Sequence, residues 1–153
     1  NDFVVKALAL ALQQVPAANV TWTEAAMLQH RASDIGIAVA VEGGLMTPVI
    51  RGAQAKSLSE ISEEARALAD RARRRRLAPH EYQGGATSIS NLGMHGVREF
   101  GAVINPPQSP LLEVAPMLSC SLACDHRAVD GAVGAELLAA FKGLLEDPLR
   151  MLV

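Results

Sequence analysis

Apolar residues fill nearly every position of Phe3-Val4-Val5-Lys6-Ala7-Leu8-Ala9-Leu10-Ala11-Leu12. A run apolar on all sides predicts a helix covered from several directions, with Asn1 and Asp2 as capping residues and Pro16 as its end. Val20-Thr21-Trp22 and Ala26-Met27-Leu28 read as a short hairpin. Ile35-Gly36-Ile37-Ala38-Val39-Ala40-Val41 reads as one buried strand, which Gly43-Gly44 turns into Leu45-Met46-Thr47-Pro48-Val49-Ile50. The pattern then changes period. Ser57-Leu58-Ser59-Glu60 has the form of a capping box, opening a long amphipathic helix with Ile61, Ala65, Leu68 and Ala72 on one face. Beyond Pro79 and Gly84-Gly85, β-like segments follow at Ala86 to Ser90, Phe100 to Asn105, Pro110 to Val114 and Met117 to Cys124. Ala132 to Glu146 returns to helical spacing through Val133, Leu137, Leu138, Phe141, Leu144 and Leu145, and Pro148 precedes an apolar tail, Leu149 to Val153. These elements predict one α/β domain with a mixed sheet.

Composition narrows the class. Of 153 residues half are apolar but only 3% aromatic, so the core is built from Ala, Val, Leu, Ile and Met. The net charge of −2 gives no general electrostatic case for nucleic acid or an anionic membrane. Arg73-Arg74-Arg75-Arg76 invites a nucleic-acid reading, yet cations at a helix C-terminus meet its dipole favourably, and a solvated helix end is the preferred account. No window approaches the run of about 18 apolar residues that spans a bilayer, and the N-terminus lacks a signal-peptide pattern. Cys120 and Cys124 share one predicted strand at i and i+4, about 13 Å apart and too far for a disulfide. Buried thiols in a reducing compartment are expected, and with them a soluble intracellular protein.

Cys124-Asp125-His126-Arg127-Ala128-Val129-Asp130-Gly131 carries the candidate chemistry. A histidine at the mouth of a strand is placed to act as a general base, since imidazole changes protonation near neutral pH. Asp130 would then fix the loop, and Gly131 would let the backbone turn tightly before the next helix. The bland alternative is an exposed histidine at a strand end, with Asp130 capping a helix. HxxxDG alone leaves both open.

Further motifs occur in order: Ser88-Ile89-Ser90-Asn91-Leu92-Gly93-Met94, Ile104-Asn105-Pro106-Pro107-Gln108 and Asp125 to Gly131. Pro16 to Trp22, Gly43 to Pro48 and Glu81 to Gly85 join them. Together they resemble the catalytic domain of dihydrolipoamide acyltransferases, the core component of 2-oxo acid dehydrogenase complexes. Ile89 to Gln108 looks most like the acetyl-transferring enzyme of the pyruvate dehydrogenase complex. The resemblance implies a two-layer, mixed-sheet α/β fold like that of chloramphenicol acetyltransferase. Two departures stand out. The family domain normally begins with strands and a helix that would precede Asn1, and it has a longer connection, typically a hairpin, near residues 114–117. Residues 1–153 are therefore expected to be one acyltransferase catalytic domain lacking those parts.

The reaction implied is acyl transfer between the thiols of coenzyme A and a dihydrolipoyl group, the latter on a lipoyl domain outside this segment. His126 takes the thiol proton, the thiolate attacks the thioester, and Ser90 donates to the resulting oxyanion. Asp130 supports the histidine loop through an ion pair with an arginine, for which Arg127 is a candidate. Neither cysteine needs a catalytic role. Cys124 is read as a core or wall residue, Asn91 and Asn105 as structural. His30, His80 and His95 show no ligand spacing around His126, so no metal is expected. The resemblance further implies a homotrimer with Ser90 facing His126 of a neighbour and trimers assembled into a cubic or icosahedral core; the apolar tail Met151-Leu152-Val153 is read either as an inter-trimer contact or as a frayed end. Partners would be the 2-oxo acid decarboxylase and dihydrolipoamide dehydrogenase components, in bacterial cytoplasm or mitochondrial matrix. Alternatives are another HxxxDG acyltransferase or a catalytically silent core scaffold.

Overall fold

The computed structural model describes residues 1–91 and 119–152, and the backbone of 111–114. The expected strand Phe100 to Asn105, the motif from Leu92 to Gln108, Met117, Leu118 and Val153 lie outside the described residues.

Helix α1 (Asp2–Gln14) is the centre of the core. Val5, Ala7, Leu8, Ala9, Ala11 and Leu12 are buried, because α2 (Leu58–Arg73) and α4 (Gly131–Glu146) both pack on α1, with the one-turn helix α3 (Pro79–Tyr82) between those two in sequence. Lys6, buried in this apolar helix, is satisfied by donating from Nζ to the carbonyls of Gln54 at 2.8 Å and Lys56 at 2.7 Å. Burial lowers its pKa, partly offset by Glu60 nearby. Asn1 occupies the cap position through its backbone only. Its side chain makes no capping bond and instead accepts from Asn91 Nδ2 at 2.7 Å. The capping box of α2 is present: Glu60 N–H donates to Ser57 Oγ at 3.3 Å and Ser57 N–H donates to the Glu60 carboxylate at 2.7 Å.

The predicted hairpin forms as β1 (Val20–Trp22) and β2 (Met27–Gln29), a separate two-stranded ribbon. The strand expected at 35–41 is divided into β3 (Ile35–Ile37) and β4 (Val39–Val41), and its partner into β5 (Gly44–Met46) and β6 (Val49–Ile50). The cause is Pro48. Ile35↔Ile50 and Gly36↔Val49 continue in one register into Val39↔Met46 and Val41↔Gly44, so a single hairpin is interrupted where Pro48 has no N–H to give. Ile37 N–H still donates to Pro48 O at 2.8 Å, while Ala38 N–H, on the other side of the strand, donates to Ile89 O at 2.8 Å and continues the ladder toward Thr87–Ser90.

The main sheet has the order β6-β3-β7-β8-β9, with β7 (Thr87–Ser90), β8 (Leu111–Val114) and β9 (Cys120–Ala123). β7 runs parallel to β3 and β8, while β9 is antiparallel to β8. Gly85, with φ +87, enters β7 where an added Cβ would lie 3.3 Å from Asp34 O, so a side chain there is both strained and crowded. Among the arginines ending α2, Arg73 pairs with Asp70 at 3.2 Å and Arg75 Nη2 donates to Glu42 O at 2.7 Å, which puts two of them to structural use. At the C-terminus a 3-10 turn spans Pro148–Met151. Met151 is only 3% exposed and belongs to this chain's own core, contrary to its expected place in an inter-subunit contact, whereas Leu149 and Leu152 are 71% and 63% exposed.

Candidate active site

Cys124 and Asp125 leave β9 and enter a turn over 126–128 that carries His126. Both Ala128 N–H and Val129 N–H donate to Asp125 O at 2.9 Å. Val129, 1% exposed, pins the end of the turn into the protein. The imidazole of His126 is left on an exposed residue. Asp125 closes the turn from the other side: its Oδ1 accepts from Arg127 N–H at 3.0 Å and Nε at 2.9 Å, and its Oδ2 from Arg127 Nη2 at 2.6 Å. The Arg127 side chain and backbone bonds hold the Asp125 carboxyl down to about 2.

Arg127 is thus the partner of Asp125, and the ion pair expected for Asp130 is not with Arg127. Asp130 instead caps α4, its Oδ1 accepting from Val133 N–H at 2.9 Å. The spacing of HxxxDG follows: histidine on the turn, buried valine as anchor, aspartate as cap. Gly131 opens α4 without a left-handed φ, and a Cβ there would meet nothing within 4 Å, so the tight turn expected of it is made by residues before it. Asp130→Ala is expected to destabilise the protein by about 0.5–2 kcal/mol, while Asp130→Asn, which keeps a capping oxygen, stays near wild type; thermal unfolding of both variants checks this.

The depressed Asp125 pKa sets a pH window. A carboxyl lowered on folding contributes stability that is complete above its ordinary value near 3.8 and is lost as pH falls through about 2. Emission of Trp22, whose ring lies 5.7 Å from the Arg127 guanidinium carbon, is expected to change between those limits, and Asp125→Asn is expected to remove that step.

Ser90 is the last residue of β7, half-buried in the wall of a groove of about 640 Å³ that Asn1, Ile37, Leu45, Arg66 and Asn91 also line. Asn91 therefore lines the groove as well as bonding Asn1. Within one chain the sheet keeps Ser90 from His126. Ser90 pairs with Glu113 and Glu113 with Ser121, whereas Ala123 pairs with Leu111, which pairs with Ser88. Since β9 runs against β7, the chain leaving Ala123 moves away from Ser90. The two strand spacings between them add about 9–10 Å sideways. Ser90 sits at one end of the sheet and His126 beyond the other.

Cys120 and Cys124 are free and half-buried, and burial raises both thiol pKa values. Cys124 Sγ packs 3.7 Å from where a Gly134 Cβ would stand, the position of a wall residue and not of an activated nucleophile. No group of three His, Cys, Asp or Glu able to hold a metal occurs among the described residues, and no described helix is long and apolar enough to cross a membrane. Sequence reasoning missed the Asp125 clamp and the Trp22 contact. The signal for the first was present, a carboxylate and an arginine immediately flanking the histidine.

The sequence profile of the family described as 2-oxoacid dehydrogenases acyltransferase (catalytic domain) matches residues 1–153. The chain belongs to this family. Among similar 2-oxo acid dehydrogenase acyltransferases is the dihydrolipoyllysine-residue acetyltransferase component of the pyruvate dehydrogenase complex of Rhizobium meliloti, 51% identical over all of this chain and 38% of the relative. The mitochondrial component of Dictyostelium discoideum is 42% identical over all of this chain and 27% of its own length. The chain thus spans less than half the length of these relatives. Of solved structures, the cubic core of the pyruvate dehydrogenase multienzyme complex superposes with TM-score 0.89 at 29% identity, covering 99% of this chain and 70% of that one. Azotobacter vinelandii dihydrolipoamide acetyltransferase, studied for the role of a serine, a histidine and an asparagine in its catalytic mechanism, gives 0.89 at 30% identity with the same coverage. Chloramphenicol acetyltransferase, at TM-score 0.62 and 13% identity over 94% of this chain and 76% of its own, shares the fold alone. The expected α/β architecture is the one found.

Proposed function

We propose that this acyltransferase domain moves an acetyl group between the sulfur of coenzyme A and that of a dihydrolipoyl group. His126 removes the proton of the attacking thiol, the thiolate adds to the thioester carbonyl, and Ser90 Oγ–H donates to the oxyanion. Collapse breaks the bond to the departing sulfur, which takes the proton back from His126. Asp130 acts through the structure of the turn, as the cap of α4. No acyl-enzyme forms, so Cys124 stays out of the reaction.

The observation that carries this reading is the placement of Ser90 and His126 at opposite ends of one sheet, in a chain similar throughout to an acetyltransferase. A serine and a base held apart in one chain make a site when Ser90 of one subunit meets His126 of the next. A homotrimer satisfies this for every chain by closed symmetry, and a larger cubic or icosahedral core follows from such trimers, as in the cubic core to which the chain is similar. The 2-oxo acid decarboxylase and dihydrolipoamide dehydrogenase components are the partners such a core would serve, in bacterial cytoplasm or mitochondrial matrix. The alignment with the Rhizobium relative runs over 169 positions against 153 residues here. The serine-to-histidine interval in the Azotobacter enzyme exceeds that from Ser90 to His126 by the same 16 residues, which supports a shortened connection somewhere between Ser90 and His126, the interval that includes 114–117.

The test is acetyl transfer from acetyl-coenzyme A to dihydrolipoamide by the assembled protein, with His126→Ala alongside. Absence of transfer in the fully assembled, full-length protein would favour a silent scaffold.

A further inference from the structure

The β1–β2 hairpin stands outside the five-stranded sheet and has no part in the proposed chemistry, yet it is held firmly. At its base, buried Asn19 donates from Nδ2 to the carbonyls of His30 and Ala32, both at 3.0 Å, and Thr21 Oγ1 lies 2.8 Å from His30 Nε2. At its tip, Thr23 closes the turn by donating from its N–H at 2.9 Å and Oγ1 at 2.6 Å to Ala26 O. Between these fixed ends it presents Trp22, 37% exposed, under the Arg127 guanidinium. A cation within about 6 Å of an indole centroid is attracted by the ring quadrupole. Burial does not hold this guanidinium, since the side chain is 63% exposed against 17% for Asp125. Its place is set by the ring on one side and the carboxylate on the other.

We propose that Trp22 and Arg127 are positioning residues for His126. The hairpin holds the guanidinium, the guanidinium holds Asp125, and the two residues flanking His126 fix where its imidazole stands. The proposal rests on the reading of His126 as the base. Neither Trp22 nor Arg127 touches the reacting atoms, so their removal acts on the rate of the chemical step. A base displaced by about 1 Å can cost as much as a hundredfold in rate.

Steady-state kinetics of Trp22→Leu, Arg127→Met and the double variant, each verified as assembled by mass, test this. Each single change is expected to lower kcat about tenfold while KM for coenzyme A and dihydrolipoamide stays within about twofold. The double variant is expected to be no slower than the poorer single, because both remove one linkage. Trp22→Phe, which keeps a ring face, recovers most of kcat. Three results overturn the proposal: kcat within about twofold of wild type in both singles, raised KM at unchanged kcat, or losses that multiply in the double. If Arg127→Met does not assemble, Arg127→Lys decides, a partial loss of kcat supporting the linkage and an unchanged kcat removing it. His126→Ala separates the two levels. Undiminished turnover there sinks the base assignment itself, whereas a silent His126→Ala beside unaffected Trp22 and Arg127 variants sinks the positioning role alone.

Discussion

The His126→Ala protein is expected to assemble normally and to transfer acetyl groups between coenzyme A and dihydrolipoamide about 10²–10⁴-fold more slowly, the usual contribution of a positioned general base. Assembly survives because His126 is exposed and the turn beneath it is made by Asp125, Arg127 and Val129. The rate falls because a thiol with pKa about 8.5 is mostly protonated at neutral pH and attacks only as the thiolate. The pH profile gives a second reading. Without the base, the residual rate should climb about tenfold per pH unit until the thiol itself ionises, a slope that wild type, with His126 taking the proton, does not follow. Undiminished turnover at neutral pH would remove His126 from the mechanism.

Ser90→Ala is expected to lower kcat by about 10²–10³, the effect of losing one oxyanion donor, with little change in KM. The larger consequence appears on mixing. If each site takes Ser90 from one subunit and His126 from its neighbour, co-assembly of Ser90→Ala with His126→Ala chains in equal amounts makes about a quarter of the sites intact, by random assortment around a closed ring. Two nearly inactive proteins would recover activity on reassembly together. If one chain supplied both groups, no mixture would recover anything. Assay of separately purified variants, unfolded and refolded together against each refolded alone, reads the difference directly.

Much of the fold was legible because periodicity and capping chemistry act locally. The apolar run of α1, the Ser57–Glu60 box and the spacing of Leu137, Phe141 and Leu144 each declare a helix from its own residues. The two halves of the hairpin from Ile35 to Ile50 were legible, but the turn falls at Glu42-Gly43, one residue before the Gly43-Gly44 expected, and the gap opposite Pro48 was missed. That proline was visible, but a missing donor does not by itself say that the pairing breaks on one side of it and resumes at Val39↔Met46 on the other. The roles of the two aspartates were harder. Asp125 and Asp130 are both within reach of Arg127 in sequence, and only the direction in which α4 leaves the turn decides that Asp130 caps it and Asp125 takes the guanidinium. The separation of Ser90 from His126 is a property of strand order, which no local pattern encodes.

The antiparallel course of β9 against β7 also bears on the chain before it meets others of its kind. If each site takes its serine and its histidine from different subunits, a solitary chain, with Ser90 and His126 at opposite ends of its sheet, would be inert toward thioesters and would leave acetyl-coenzyme A untouched. Specific activity would then depend on protein concentration. Dilution into the range where subunits part should extinguish turnover per chain while leaving every chain folded, and concentrating the same sample should restore it.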